Sequence, residues 1–374
     1  MLPRLSRRAL LLSSAGLWGC GARKATAYPG YCFVANQEGR SLSVVDLSTF
    51  RPLRSVPLEA APAAVLSHPR KAKVFALAPE AGAVFEIDVT SLAVSRRARA
   101  GNQAISMRLA PDGDALWVLY REPAALVEFP LDTFEARRRI RLAAPPDDFD
   151  LSRDRRAAIA ARSSGAVLIA SLEHSSIERT AAAGMDPTIV RFQQKGAQIV
   201  AGSRSDRSVT MINVLTGKVV VRLPMPIQPS RFCFSQDEGQ LFMTGAGRDA
   251  VVIAYPYQTQ IGGTFLAGRA PDGMAVVGSN LLVTNPETNS VTVLDINTYR
   301  LVAVVEVGHE PREILITPDN QYALVLNQKS GDLAVIRITA LSARDRTRRY
   351  KSAPLFTLIP VGEKPVSAAV VGLG

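Results

Sequence analysis

Residues 271–308 form four short apolar runs that decide the fold: Pro271-Asp-Gly-Met-Ala-Val-Val, Leu281-Leu-Val-Thr-Asn, Ser290-Val-Thr-Val-Leu-Asp and Leu301-Val-Ala-Val-Val-Glu-Val-Gly. Each run is rich in Val, Leu and Thr and is bounded by Gly, Pro, Asn or Asp, which is the composition of β-strands separated by tight turns. The 3.6-residue period of an amphipathic helix is not found in any of these runs. The stretch therefore predicts one antiparallel sheet of four strands.

The same unit recurs about every 42 residues along the chain. A proline opens a strand-like run in most copies, and Ala104 takes its place in one of them. Seven complete units start at Pro62, Ala104, Pro146, Pro187, Pro229, Pro271 and Pro311. Self-similarity at this period is the signature of a repeat architecture such as a β-propeller.

The two chain ends supply an eighth unit. Runs near Tyr31, Ser41 and Leu53 correspond to a second, third and fourth strand, whereas Pro365 to Val371 is a lone first strand. Since small sheets that are apolar on both faces must stack on neighbours, a closed ring is expected. The sequence thus predicts an all-β, eight-bladed propeller of four-stranded antiparallel blades, closed by pairing of the N- and C-terminal strands. A seven-bladed ring is the alternative if the unit at Pro146 does not form a blade.

One repeat also carries a family resemblance. The segments Leu282-Val-Thr-Asn, Ser290-Val-Thr-Val-Leu-Asp and Val307-Gly-His-Glu-Pro resemble the YVTN β-propeller repeat, with Leu282 in place of Tyr. This resemblance is clearest between about residues 270 and 338 and is weaker in the earlier copies. It implies an exported propeller and does not imply a particular reaction.

The N-terminus is typical of bacterial export. A basic start with the pair Arg7-Arg8 precedes an apolar run from Ala9 to Gly19, which is shorter than the roughly 20 residues of a membrane span. The arginine pair resembles a twin-arginine signal, and Leu17-Trp-Gly-Cys20 resembles a lipobox whose cysteine is lipidated. We expect residues 1–20 to be the signal, 21–29 a flexible tether and 30–374 one propeller domain. The mature protein is then periplasmic or on the outer surface, bound to a membrane through the lipid on Cys20 only.

Composition excludes several classes of function. The net charge of +11 falls to +8 once Arg4, Arg7 and Arg8 leave with the signal, yet no aromatic residues are interleaved with the cations as nucleic-acid binding requires. Cys32 and Cys233 are expected to be buried free thiols. Only three histidines occur, without metal-binding spacing, and no CxxCH motif is present, so we predict no metal, no covalent haem and no other cofactor.

Candidate ligand-binding residues come from the first strand of each unit, whose start lies at the mouth of the channel in a propeller. Reading the same positions in successive units gives a polar set at this mouth: Asp147, Asp148, Arg231, Asp272, Arg312 and Glu313. Two positions deeper, three adjacent units carry Arg108, Asp150 and Arg191 where the others are apolar or Cys. Because a charge among apolar positions must be paired, we predict an Arg-Asp-Arg cluster across these blades.

These features favour a monomeric, non-catalytic binding or scaffold propeller of the cell envelope, with a protein or peptide partner on the channel-mouth face. Two small-molecule alternatives stay open through resemblance to related propellers. One is a lactonase-type hydrolase that uses Asp148, Glu313 and Arg231. The other is a haem-d1-like tetrapyrrole-binding propeller, in which His309 or His68 would be the axial ligand.

Overall fold

The computed structural model describes residues 27–341 and 353–373. The predicted signal with Cys20, most of the predicted tether and the basic segment at Arg344–Lys351 lie outside the described residues. Within the described ranges, no helix has the length and hydrophobicity that a membrane crossing requires.

The described residues form 32 strands and five single-turn 3-10 helices. The chain starts with β1 (Gly30–Asn36), β2 (Ser41–Asp46) and β3 (Arg51–Pro57). Blade 2 contains β4 (Ala64–Ser67), β5 (Lys73–Ala78), β6 (Ala83–Asp88) and β7 (Ala93–Arg99). Blade 3 contains β8 (Asn102–Leu109), β9 (Ala115–Glu122), β10 (Ala124–Pro130) and β11 (Arg139–Arg141). Blade 4 contains β12 (Asp148–Leu151), β13 (Arg156–Ala161), β14 (Ala166–Ser171) and β15 (Ser176–Ala182).

The second half continues in the same way. Blade 5 contains β16 (Pro187–Gln193), β17 (Gln198–Ser203), β18 (Ser208–Asn213) and β19 (Val219–Pro224). Blade 6 contains β20 (Gln228–Phe234), β21 (Leu241–Ala246), β22 (Ala250–Tyr255) and β23 (Gln260–Leu266). Blade 7 contains β24 (Met274–Val277), β25 (Asn280–Asn285), β26 (Ser290–Asp295) and β27 (Leu301–Glu306). Blade 8 contains β28 (Pro311–Ile316), β29 (Tyr322–Asn327), β30 (Asp332–Arg337) and β31 (Leu355–Pro360), and the last strand is β32 (Pro365–Gly372). The 3-10 helices are Arg162–Ser164, Gln194–Gly196, Pro256–Gln258, Pro286–Thr288 and Ile338–Ala340.

The strands form eight antiparallel four-stranded sheets, which confirms the predicted eight-bladed propeller. The first strands of neighbouring blades contact one another, as β12 does with β16 and β24 with β28, and so surround the centre. The unit that starts at Pro146 forms a complete blade, so the seven-bladed alternative is wrong. Strand β32 pairs with β1, placing Val370 opposite Cys32, so the N- and C-terminal strands share blade 1 as predicted.

Eight hydrophobic clusters of described residues fill the eight gaps between blades. Strand β1 shows why its residues must be apolar on both faces. Phe33 packs in the gap towards blade 2, whereas its neighbour Cys32 packs in the gap towards blade 8. Adjacent side chains on a strand point to opposite faces, so each inner blade surface is buried against a different neighbour.

The Asn of the repeat motif has a structural role. The Asn285 side chain donates to Thr292 Oγ1 at 2.9 Å and accepts from the Gly268 backbone N–H at 2.8 Å. A Cβ atom on Gly268 would lie 2.4 Å from the Asn285 side chain, so that position needs glycine. A Cβ atom on Gly308 would likewise lie 2.6 Å from the Asn327 side chain. The motif thus fixes how one blade leads into the next.

Candidate functional site

A pocket of about 370 Å³ lies at the channel mouth, where the first strands of blades 4 to 8 converge. Five blades contribute to its wall, through β12, β16, β20, β28 and the segment that begins β24. Its charged lining residues are Asp147, Asp148, Arg191, Arg231 and Glu313. The pocket lies within the roughly 300–1,000 Å³ typical of small-ligand sites, and its wall is more polar than is usual for them.

Asp148 is the centre of the first charge cluster. One of its oxygens accepts from Arg191 Nη1 at 2.5 Å and from the Val190 backbone N–H at 3.2 Å. The other oxygen lies 3.6 Å from Arg108 Nη2. Blades 3, 4 and 5 are therefore joined through one carboxylate.

Asp150 lies deeper on the same face of β12. Its Oδ1 is 3.9 Å from Arg108 Nε, and its Oδ2 accepts from the Phe192 backbone N–H at 2.8 Å. The predicted residues Arg108, Asp150 and Arg191 therefore lie in one cluster, but Asp148 is the carboxylate that bridges both guanidinium groups. Arg108, Asp150 and Arg191 occupy equivalent positions on their strands, opposite Trp117, Ala158 and Val200, whereas Asp148 lies two residues nearer the mouth and the long arginine side chains reach it.

Burial governs the ionisation of this cluster. Burial raises the pKa of Asp150, and the positive charge of Arg191 opposes that shift. Burial also lowers the pKa of Arg108, and the like charge of Arg191 lowers it further, against the attraction of Asp148 and Asp150. The two guanidinium groups therefore repel each other unless an anion lies between them.

The second charge cluster joins blades 6, 7 and 8. Arg231 Nε donates to Asp272 Oδ1 at 3.0 Å, and Arg231 Nη1 lies 3.5 Å from Glu313 Oε2. Arg312 Nη1 donates to the other oxygen of Asp272 at 3.2 Å. Asp272 thus bridges two arginines, as Asp148 does in the first cluster.

Glu313 is the residue of this cluster whose carboxyl group has a raised pKa. Burial raises its pKa; the charge of Arg231 opposes this shift, and the charge of Asp272 adds to it. About a third of the Glu313 side chain is still exposed to the pocket. Burial alone would lower the pKa of Arg231, but Glu313 and Asp272 outweigh it and raise that pKa.

Asp147 belongs to a third contact at the rim. Its Oδ1 lies 3.0 Å from Arg121 Nη2 and 3.2 Å from Arg162 Nη2. Both arginines lie at the ends of the second strands of adjacent blades, Arg121 within β9 and Arg162 directly after β13, and they are one repeat apart. That spacing is a signal in the sequence, although our site prediction did not include them.

The histidines lie away from this pocket. His68 is buried, and its ring nitrogens contact the Gly113 carbonyl and the backbone N–H groups of Arg70 and Lys71. His309 is exposed on the loop before β28. In the described part of the chain, no group of three or more His, Cys, Asp or Glu side chains is placed to hold a metal ion. Neither histidine lines the pocket, so the residues present do not fit a tetrapyrrole held there by an imidazole.

Fold and site together define the chain as an eight-bladed β-propeller with a polar, ion-paired pocket at its channel mouth. Its sequence is similar over residues 267–348 to the family described as "Lactonase, 7-bladed beta-propeller". This match covers blade 7 and part of blade 8, including Asp272, Arg312 and Glu313. A comparison with curated proteins finds no significant match.

Solved structures with the same fold are more distantly similar in sequence. Dihydro-heme d1 dehydrogenase NirN in complex with DHE has a TM-score of 0.74 at 14% identity, over 91% of this chain and 75% of that one. Hydrazine synthase of Kuenenia stuttgartiensis has a TM-score of 0.60 at 18% identity, over 74% and 95%. A functionally unknown protein from Desulfotomaculum acetoxidans has a TM-score of 0.60 at 12% identity, over 73% and 94%. At these identities the likeness shows the propeller fold alone.

Proposed function

We propose that this protein is a non-catalytic binding propeller of the bacterial envelope, which holds a charged peptide segment of a partner protein in the channel-mouth pocket. The observation that carries this proposal is the pairing of opposite charges across blades. Arg191 with Asp148 forms one wall of the pocket, and Arg231 with Glu313 forms another. A peptide that carries both signs of charge can replace these internal partners without leaving a buried charge unpaired.

The rest of the proposal concerns the location of the protein. A twin-arginine-like signal, a lipobox-like stretch ending at Cys20 and a YVTN-type repeat support a membrane-tethered body in the periplasm or on the outer surface, and we take that body to be a monomer. No nucleic acid or cofactor enters this proposal.

Site-specific photo-cross-linking in isolated envelopes tests the partner. A benzoylphenylalanine at Thr188, on the pocket wall, is expected to form an adduct with one defined protein. The same probe at Leu53, on an outer strand, is the control and should not form that adduct.

Charge variants complete this test. Arg231→Ala in the Thr188 probe background should abolish the adduct, because it leaves Glu313 without its cation and Asp272 with Arg312 alone. Arg97→Ala removes the same charge from an exposed outer-strand pair with Glu59, and should leave the adduct unchanged. A missing adduct at Thr188, or one that survives Arg231→Ala, would contradict the proposal.

A second candidate, lactone hydrolysis, is favoured by two observations. The lactonase family match includes Glu313, and burial raises the pKa of that carboxyl. A general base works best when its pKa approaches the working pH. In this candidate the Glu313 carboxylate takes a proton from water as the water oxygen attacks the lactone carbonyl.

The remaining steps balance the reaction. The ring ester bond breaks, the proton passes from Glu313 to the ring oxygen that leaves, and the product is an open hydroxy acid. The Arg231 guanidinium, 3.5 Å from Glu313, stabilises the negative charge on the carbonyl oxygen in the transition state.

A screen of sugar lactones tests this candidate. Wild-type protein should open at least one, and Glu313→Gln should lower kcat/KM by about 100-fold or more, the size of a general-base effect. Activity should rise with pH through a midpoint above about 4.3, the ordinary pKa of Glu. Glu287→Gln, an exposed residue on the blade 7 rim, is the matched control. Equal activity of Glu313→Gln and wild type would exclude Glu313 as the base.

A further inference from the structure

A second pocket lies on the other side of the molecule from the channel mouth, between blades 6 and 7. Its volume is about 520 Å³. The turn between β20 and β21 forms one wall, and the turns that follow β24 and β26 form the other. Its lining residues are Ser235, Gln236, Asp237, Gly239, Gln240, Tyr255, Gly278, Ile296 and Asn297.

Tyr255 departs from the repeat at this pocket. In blades 1, 2, 5 and 7 the third strand ends in an Asp or Asn that accepts hydrogen bonds from the turn after it, at Asp46, Asp88, Asn213 and Asp295. Blade 6 has Tyr255 there instead, and a proline-containing 3-10 turn replaces the capped turn. Pro130 and Arg337 take this place in blades 3 and 8, so the capped turn is not general, and what sets Tyr255 apart is the aromatic ring that it brings to the pocket.

The tyrosine belongs to an aromatic wall between the two blades. Its hydroxyl contacts the Tyr299 hydroxyl, which also accepts from Gln240 Nε2 at 2.8 Å. Tyr299 stacks on Phe265 with ring centroids 4.6 Å apart. Burial, together with the hydrogen bond to Tyr255, raises the pKa of Tyr299 to about 12, so its hydroxyl stays neutral at pH 7.

Glycines on the neighbouring strand hold this wall in place. A Cβ on Gly262 would lie 2.4 Å from the Tyr255 ring, so only glycine lets the ring pack there. The rings are therefore preorganised, which lowers the entropy lost when a ligand binds.

The polar lining restricts the class of ligand. Gln236, Gln240 and Asn297 bring amide groups, and Asp237 brings the one charged group among the lining residues described. Hydrogen bonds from Ser235 and from the Gly239 backbone N–H lower the pKa of Asp237, which is therefore ionised. With a carboxylate and no lining cation, the pocket does not suit an anion.

We propose that this pocket binds a neutral carbohydrate, with the sugar against Tyr255 and its hydroxyls hydrogen-bonded to Asp237, Gln236 and Asn297. The C–H face of a pyranose packs on an aromatic ring, and planar amide and carboxylate groups can bond to adjacent hydroxyls. This site is independent of the channel-mouth pocket, so it holds or fails separately from the proposed function.

Ligand-observed saturation-transfer NMR and titration calorimetry on the purified protein test the proposal. The neutral probes are N,N′-diacetylchitobiose, cellobiose and maltotriose; glucosamine and gluconate are the cationic and anionic probes. At least one neutral probe should bind. Saturation transfer to none of the neutral probes, or to the charged probes only, would overturn the carbohydrate assignment.

Two variants locate the binding. Tyr255→Asp introduces the residue type of blades 1, 2 and 7, so the turn gains a capping group while the ring is lost. Gly278 has φ of 55° and open space at its Cβ position, so Gly278→Asn adds a side chain in a conformation that Asn tolerates.

Both variants should weaken binding by tenfold or more, whereas Tyr257→Ala, an exposed tyrosine outside the lining, should bind like wild type. Unchanged melting temperatures establish that the variants are folded. Undiminished affinity in either pocket variant overturns the proposal.

Discussion

At the scale of single residues, buried charges in this protein are tolerated because they bridge blades or strands. Glu86 on β6 shows the principle apart from the candidate site: its side chain is 3% exposed, and it pairs with Lys73 at 3.0 Å and Arg96 at 2.5 Å. Burial alone would raise the pKa of Glu86, but hydrogen bonds from Arg96, Lys73 and Ser95 outweigh it and lower that pKa. The folded state therefore favours the ionised form.

Glu86→Gln should destabilise the protein at pH 7 by about 2–3 kcal/mol. This loss is somewhat smaller than that expected for breaking a fully buried ion pair, because both cations are partly exposed. A carboxyl whose pKa is lowered on folding adds stability above its unfolded pKa of about 4.3, and loses it as the pH falls through the folded pKa. The difference between variant and wild type should thus shrink below about pH 4. Urea unfolding at pH 7 and pH 3 measures both effects.

Glu59→Gln is the control for this prediction. Glu59 pairs with Arg97 at 2.7 Å but is 71% exposed, so its loss should cost less than about 1 kcal/mol at either pH. Equal losses for Glu86→Gln at both pH values would show that packing, not charge, makes the contribution.

At the scale of elements, β32 is the strand on which ring closure depends. It covers the inner edge of β1, where Cys32, Phe33 and Val34 are fully buried. Burial raises the pKa of the Cys32 thiol to about 12, so that thiol is both inaccessible and protonated. Without β32, β1 becomes an open hydrophobic edge.

A chain of residues 21–364 should therefore react with a thiol reagent at Cys32, whereas residues 21–374 should not. Cys233 in blade 6 lies far from this edge, and burial raises its pKa to about 11 in the intact ring, so it serves as the internal reference. A synthetic peptide of residues 365–374 should restore protection of Cys32. Continued protection in the truncated chain would mean that β1 does not need this partner.

The elements also show what could be predicted from the sequence. The repeat period fixed blade number and closure because each unit carries its own turns and apolar strands, and β16, β28 and β32 start at the expected prolines Pro187, Pro311 and Pro365. The outer strand of blade 3 is shorter than the others, three residues from Arg139 to Arg141. Its sequence is rich in arginine, and Ile140 is the one buried residue of the three.

The site could be predicted only in part. The charged residues of the channel mouth were expected there, since repeat positions map to equivalent places in each blade. Their pairing was predicted only in part, because the repeat position places Asp150 level with Arg108 and Arg191, whereas both long arginine side chains reach Asp148 two residues nearer the mouth. The Tyr255 pocket was missed because it lies between turns of two blades, which no single repeat describes.

At the scale of the whole molecule, the ring is held by two kinds of contact. All eight gaps are packed by side chains, but in blade 1 the closure also depends on a backbone ladder between β32 and β1. The described ends of the chain are adjacent, since the Leu373 N–H donates to the Pro29 carbonyl at 2.9 Å. A short linker can therefore join them, and new ends can be opened elsewhere to separate the two contributions.

Two circular permutants with the same linker make the comparison. Opening the chain between Lys195 and Gly196 makes blade 5 composite, so that β16 at the new C-terminus must pair with β17 through six residue pairs. Opening it between Gly184 and Met185 leaves every blade continuous, and the gap between blades 4 and 5 is then closed by side chains alone. Each backbone hydrogen bond contributes a net of about 0.5–1.5 kcal/mol, so separating the two ends of the ring should cost more free energy in the first permutant.

We expect both permutants to fold. The second should unfold at least tenfold faster in urea and should be cleaved earlier by protease near residue 185. Equal unfolding rates would mean that packing between blades, and not the shared blade, holds the ring closed.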